Sequence, residues 1–319
     1  MEELTAQPLP LADWLEVVEA EYLAGFVPEG GGALKFAIAG DALIPTTLAR
    51  LDALAQRHAL RAVRIDAAGT RLHMLQDVFF ALARALPWEG MVQHYLEQLF
   101  AAGTYPWPRP GARLTMVELA EAFGVAPSLL AHERDRWLSR DIWEDRALAQ
   151  DFRAALLRLC LAHLDADGPA RAAPVLAWLQ GEKVPAAVLR GAEISGRITR
   201  TNALAMLVSL CHWVRRSGAS GLLITVDLRQ LQRPGPAAEG TLRYSPAAVM
   251  DAYEVLREII DDAEHLPGLF VVVLANEALV AGEPRRALAQ YAALQMRVWP
   301  DVRPGDRQNP VAPLVWLSA

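Results

Sequence analysis

Residues 33–68 read ALKFAIAGDALIPTTLARLDALAQRHALRAVRIDAA, and the periodicity of this stretch decides the fold class. ALKFAIAG (33–40) is a compact apolar run that ends in glycine, the pattern of a strand covered on both faces. TTLARLDALAQRHA (46–59) carries apolar residues at helical spacing. LRAVRIDAA (60–68) then reads as a second buried strand. Strand, helix and strand in this order form a βαβ unit, which requires a parallel sheet and a right-handed crossover.

Upstream, LADWLEVVEAEYLAGFV (11–27) predicts one amphipathic helix, stopped by Pro28 and the run Gly30 to Gly32. Downstream, helical periodicity dominates for about 150 residues. Two helices are expected at 71–86 and 87–103, and the Pro-rich break TYPWPRPGAR (104–113) separates them from a helical lobe. Strand character returns in GLLITVDL (221–228), after a helix over 201–218. A polar loop, QRPGPAAEGTLRY, leads to a helix over 245–265, the strand LFVVVLAN (269–276), a last helix over about 283–298 and a terminal strand APLVWLS (312–318). The expected architecture is an α/β fold, a P-loop NTPase-like parallel sheet flanked by helices, with a helical insertion between the second and third strands. It divides into an N-terminal helix and linker (1–32), a first core part (33–103), the insertion (104–165) and a second core part (166–319).

Composition is that of an ordinary globular protein, 53% hydrophobic and 21% charged, and the net charge of −6 announces neither a nucleic-acid nor a membrane binder. Basic character is almost all arginine; the only lysines are Lys35 and Lys183. Cys160 and Cys211 fall within apolar helical patterns and read as buried free thiols, and no metal-ligand spacing links cysteines and histidines. Without a basic, apolar leader or a long apolar run, the expected location is the cytoplasm, with no membrane partner.

A P-loop requires a strand, then G-x-x-x-x-G-K-[ST], then a helix. Backbone N–H groups wrap the phosphates, the lysine neutralises charge and the hydroxyl holds Mg²⁺. Here the strand and helix flank Gly40-Asp41-Ala42-Leu43-Ile44-Pro45-Thr46-Thr47. Pro45 replaces the second glycine and removes an N–H donor, and Thr46 replaces the lysine. Leu43 and Ile44 add bulk, and Asp41 adds negative charge. Lys35 lies at the far end of its strand, and Arg50 is a candidate anion contact one turn into the helix. Loss of several charge-assisted hydrogen bonds, each about 1.5–3 kcal/mol, would make a micromolar nucleotide site too weak to matter.

The segment LAWLQGEKVPAAVLRGAEISGRITRTNALAMLVSLCHWVRRSGASGLLITVDL (176–228), with its W-L-x-G-E start and terminal strand, resembles the BREX-system ATP-binding family. AYEVLREIIDDAEHLPGLFVVVLANEAL (252–279), RRALAQYAALQMRV (285–298) and NPVAPLVWL (309–317) are similar to the same family's following elements. The resemblance covers about residues 30–319 and is weakest over 104–165. It implies an AAA+/ASCE-like core from prokaryotic anti-phage systems, working beside an active ATPase, a helicase or similar proteins. It carries Gly40, Thr47 and Asp227 over as nucleotide-site positions, with Thr46 in the lysine's place and Asn276 as a sensor-type residue. Arg257 and Arg297 match family arginines of unassigned role. In ASCE-type ATPases the strand ends Asp-Glu; here Asp227 is kept and Leu228 stands for the glutamate that activates water.

TMVELAEAFGVAPSLLAHERDRWL (115–138) has the cadence of a helix-turn-helix, in which Ser128, His132 and Arg134 would face DNA. A plain helical hairpin explains the same pattern, and Glu133 and Asp135 oppose phosphate. Arg197, Arg200, Arg215 and Arg216 form either a basic stripe or a solvated helix face. Trp88 and Trp107 either anchor a partner or pack under the Pro-rich loop, and His73 and His94 are expected to face helix neighbours. Three functional expectations follow. The first is a catalytically degenerate ATPase-like scaffold subunit with no catalytic residue, cofactor or metal. The second is an ATPase using ATP and Mg²⁺ at an unconventional or trans-completed site. The third is a DNA-binding accessory acting through 115–138.

Overall fold

The structure is a computed structural model that describes residues 7–235, 238–299 and 308–319. The start of the expected 1–32 segment and part of the polar loop at 232–244 lie outside the described residues. The chain packs as two compact units, one built from residues up to Leu82 together with Ala219–Ala319, the other from Ala83–Gly218. This second unit is longer than the 104–165 lobe delimited from the sequence.

The first unit opens with β1 (Leu9–Pro10), α1 (Leu11–Val18) and a π-helical turn, Glu19–Phe26. It continues with β2 (Ala33–Ile38), α2 (Ile44–Arg57), β3 (Leu60–Asp66) and α3 (Leu75–Ala85), the last of which runs into the second unit. The second unit's described elements are helical: α4 (Trp88–Ala102), α5 (Met116–Phe123), α6 (Pro127–Leu138), α7 (Gln150–His163), α8 (Gly168–Leu179), α9 (Ala186–Gly191) and α10 (Ala203–Arg216), with a π-helical turn at Ser139–Trp143. The first unit then resumes with β4 (Gly221–Asp227), α11 (Arg229–Gln232), α12 (Pro246–Asp261), β5 (Leu269–Ala275), α13 (Ala278–Ala281), α14 (Ala292–Val298) and β6 (Leu314–Ser318).

All six strands join one parallel sheet in the order β1-β6-β2-β5-β4-β3. Every residue of β4 and β5 is buried, as expected where helices cover both faces of a parallel sheet. On one face Leu223, Phe270, Val272 and Leu274 pack with Trp14, Leu15, Ile44, Leu51 and Leu54. β3 differs from its expected full burial: it lies at the sheet edge, where Val63 and Ile65 are covered and Arg64 is exposed.

Two further expectations are corrected, and one open alternative is decided. The helix expected over 11–27 is α only to Val18 and then widens into the π-turn, which places the Tyr22 ring stacked on Phe270 at 5.1 Å. The helix expected over 283–298 is broken into a 3₁₀ turn at Leu288–Gln290 and the shorter α14. Arg286 explains the break. It is buried and donates to Leu231 O and Tyr244 O, both at 2.8 Å, so the chain follows the anchored arginine rather than a helical path. Trp88 and Trp107 are buried, their indoles donating to Ala83 O and Ala112 O, and so pack inward instead of anchoring a partner.

Candidate functional site

Three strands end together at the carboxyl edge of the sheet: β2 before Gly40, β5 before Asn276 and β4 at Asp227. Their register is direct, with Ile38 opposite Ala275 and Leu274 opposite Asp227. Open parallel sheets bind ligands outside this edge. β5 lies between β2 and β4, so only side chains can link the turn after β2 to the end of β4.

The turn after β2 is short. Ala39 N still bonds to Ala275 O at 2.9 Å, Leu43 N closes a turn onto Gly40 O at 2.8 Å, and α2 begins at Ile44. Pro45 sits in the first helical turn, where its missing N–H breaks no intrahelical bond. Thr47 is fully buried; its Oγ1 donates back to Leu43 O at 3.0 Å and its N–H bonds the same carbonyl at 2.9 Å. Thr46 and Gly40 are exposed, and a Cβ on Gly40 would meet nothing within 4 Å. Of the donors that would face an anion in a phosphate loop, Leu43 N and both Thr47 donors are engaged within the turn, and Pro45 has none.

Asp227 is nearly buried and Leu228 fully so, with Leu228 N held by Leu274 O at 2.9 Å. The charge here is organised by a residue that sequence reasoning passed over. Arg229 wraps back on Asp227: Nε stands 3.0 and 3.1 Å from the two carboxylate oxygens, Nη2 is 2.6 Å from Oδ2, and Arg229 N donates to Oδ1 at 3.0 Å. Its Nη1 extends to Asp41 Oδ1 at 3.5 Å, and Asn276 Nδ2 donates to that same oxygen at 3.1 Å. Asn276 Oδ1 accepts from Ala278 N at 3.1 Å, which fixes the amide. The bonds to Asp227 above all, with Asp41 beside it, hold the Arg229 guanidinium protonated beyond its already high range. The only sequence signal for this role was an arginine two residues past the strand-ending aspartate.

Of the predicted nucleotide-site residues, Asp227 and Asn276 thus share one polar network through Asp41 and Arg229. Gly40 closes the turn through its carbonyl, Thr46 is exposed and Thr47 points inward. Lys35 is buried at the sheet's interior: its ammonium bonds Val311 O and Ala312 O and lies 4.8 Å from the Tyr22 ring centre, and burial pulls its pKa down to about 8. Arg257 and Arg297 converge on Asp261, tying α12 to α14.

In the second unit, α5 starts with a capping box in which Thr115 Oγ1 and Glu118 bond reciprocally, and it ends at Gly124 in the left-handed conformation. Ser128 and His132 are exposed on α6, as a reading helix would need. Arg134 is not presented: its side chain is 15% exposed and bonds Asp135 through Nε and Nη2 at 2.9 and 2.6 Å. The exposed large apolar side chains of this hairpin are Val117 and Leu129. Arg216 is held by Asp145 and Asp141 O, which removes it from any basic stripe. His94 bonds Gln98 one turn on, whereas His73 stands edge-on to Tyr244, far away in sequence. A cavity of about 200 Å³ between α4, α7 and α8 is mostly apolar, and no predicted site residue lines it. Cys160 and Cys211 are free and buried. Among the described residues no side-chain group suits a metal ion, and no helix is long and apolar enough to cross a membrane.

No curated protein and no solved structure matches the chain. The family described as BREX system ATP-binding protein BrxC/D matches residues 136–319, which is 184 of the 319 residues. The matched region contains Asp227, Leu228, Arg229 and Asn276 and excludes the turn at 40–47. With more than half its length matched, including strands β4, β5 and β6, this chain belongs to the BREX system ATP-binding protein BrxC/D family.

Proposed function

We propose that the chain is a catalytically degenerate ATPase-like subunit, a scaffold that works with active components of a BREX anti-phage system. The observation that carries this reading is the turn after β2. A magnesium nucleotide needs a wrapped loop of N–H donors, a lysine and an outward hydroxyl. This chain offers a four-residue turn closed on itself, a proline in the first turn of α2 and a buried Thr47 bonded to Leu43. The donor set does not fit the ligand. Leu228, buried at the position after Asp227, has no group with which to activate water. The sheet around these positions is nonetheless fully formed, which supports a role for its surfaces. The partners would be an active ATPase, a helicase or similar proteins of the same system.

Calorimetry of the purified chain with Mg²⁺ and ATP tests the reading. No heat at millimolar nucleotide is expected from the chain alone, while the proteins encoded beside it should co-purify with it. Micromolar nucleotide binding would sink the proposal and favour the alternative, an ATPase whose site is unconventional or completed in trans. In that case slow hydrolysis should disappear in Asp227→Ala.

A further inference from the structure

The carboxyl-edge network has a feature that degeneracy alone does not demand. Two carboxylates converge on one guanidinium, and an amide from the third strand end holds the outer carboxylate. Isolated acidic groups at this edge would repel one another, and burying Asp227 without a cation would be costly. We infer that Arg229 is the site's built-in cation, occupying with its guanidinium the electrostatic place that a divalent metal takes in a nucleotide-loaded relative of the fold. This deepens the pseudo-ATPase reading and rests on it.

Four observations support the assignment. The contact is two-sided: Nε and Nη2 present one edge of the plane to Asp227 while Nη1 reaches Asp41. A planar fork can do this and an ammonium cannot. Arg229 is also positioned in advance. The one-turn helix α11 that carries it is held at three other points: Gln230 Nε2 donates to Leu242 O at 2.8 Å, Leu231 O accepts from buried Arg286 at 2.8 Å, and Gln232 Nε2 donates to Tyr253 Oη at 2.6 Å. Asn276 closes the far side by holding Asp41 at 3.1 Å. Finally, among the described residues all four bonds to the Asp227 carboxylate come from Arg229 itself, so both of its oxygens are already engaged by the cation two residues away. The consequence is a buried Asp227 carboxylate neutralised without metal, in a network that ties three strand ends when no ligand is present.

The test is Mn²⁺ binding to the full chain, followed by the loss of the free-ion electron paramagnetic resonance signal, with no nucleotide present. Wild type should leave the signal unchanged at millimolar metal. Arg229→Met, which keeps the stem and removes the charge, should bind Mn²⁺ at least about tenfold more tightly than wild type. Asp227→Asn in the Arg229→Met background should abolish that gain, and Arg229→Lys should not show it. If Arg229→Met folds poorly, Mn²⁺ should restore a cooperative melting transition to it while leaving the wild-type transition in place. The inference is overturned if Arg229→Met gains neither Mn²⁺ affinity nor Mn²⁺-dependent melting, or if wild type binds Mn²⁺ through Asp227. Failure of the pseudo-ATPase reading would appear elsewhere, as heat from Mg²⁺-ATP on the wild-type chain.

Discussion

Gly40 occupies the first position of a phosphate-loop pattern, yet a Cβ there meets no atom within 4 Å. Gly40→Ala should therefore leave the fold intact and stabilise it by about 0.4–1 kcal/mol through the unfolded chain, as read by urea denaturation. Leu228 is the opposite case. Leu228→Glu would force a carboxyl into a fully buried position and should cost about 3 kcal/mol or more without yielding ATP hydrolysis. Lys35 supplies a pH signature. Burial lowers its folded-state pKa to about 8 from 10.5, so between those values the unfolded chain holds more protons and stability rises with pH. The stability difference between wild type and Lys35→Met should then shift toward wild type as pH rises from 8 to 10.5. Its slope should be at most about 1.4 kcal/mol per pH unit, and a flat difference would refute the assignment. None of these three environments is visible in a one-dimensional motif, because each depends on what surrounds the residue.

Elements follow local patterning closely where that patterning is strong. β2, α2, β4 and β5 fall within a few residues of their predicted spans, since continuous apolar runs and 3.6-residue periodicity encode them directly. The start of α5 is also encoded locally, by Thr115 followed three residues later by Glu118, a signal the sequence reading passed over. Thr115→Ala should cost about 1 kcal/mol and speed amide exchange in the first turn of α5 before affecting the sheet. Illegible elements were those shaped by distant partners. β1 is two residues long and exists only because Leu9 and Pro10 pair with Leu317 and Ser318. The helical pattern at 283–298 yields to Arg286, whose acceptors lie 42 and 55 residues away. The π-turn at Glu19–Phe26 likewise satisfies a tertiary contact, the stack of Tyr22 on Phe270.

At the scale of the whole molecule, sheet order is what makes the candidate site. Placing β5 between β2 and β4 sets Asn276 between the turn and Asp227 and leaves Asp41 within reach of both Asn276 and Arg229. Reverting the turn alone, with Pro45→Gly and Thr46→Lys, should thus fail to restore Mg²⁺-ATP binding by calorimetry. Adding Arg229→Met to that pair should restore it only if the internal cation is the remaining obstacle. The sequence by itself determined the α/β class, the parallel sheet and the family, because these reside in apolar periodicity and in residue identity. Only the tertiary structure decided that Thr47 turns inward, that β3 is an edge and that Arg229 joins Asp227 to Asp41. Those outcomes depend on strand order and on side chains up to 188 residues apart, and local propensity carries no information about such distances.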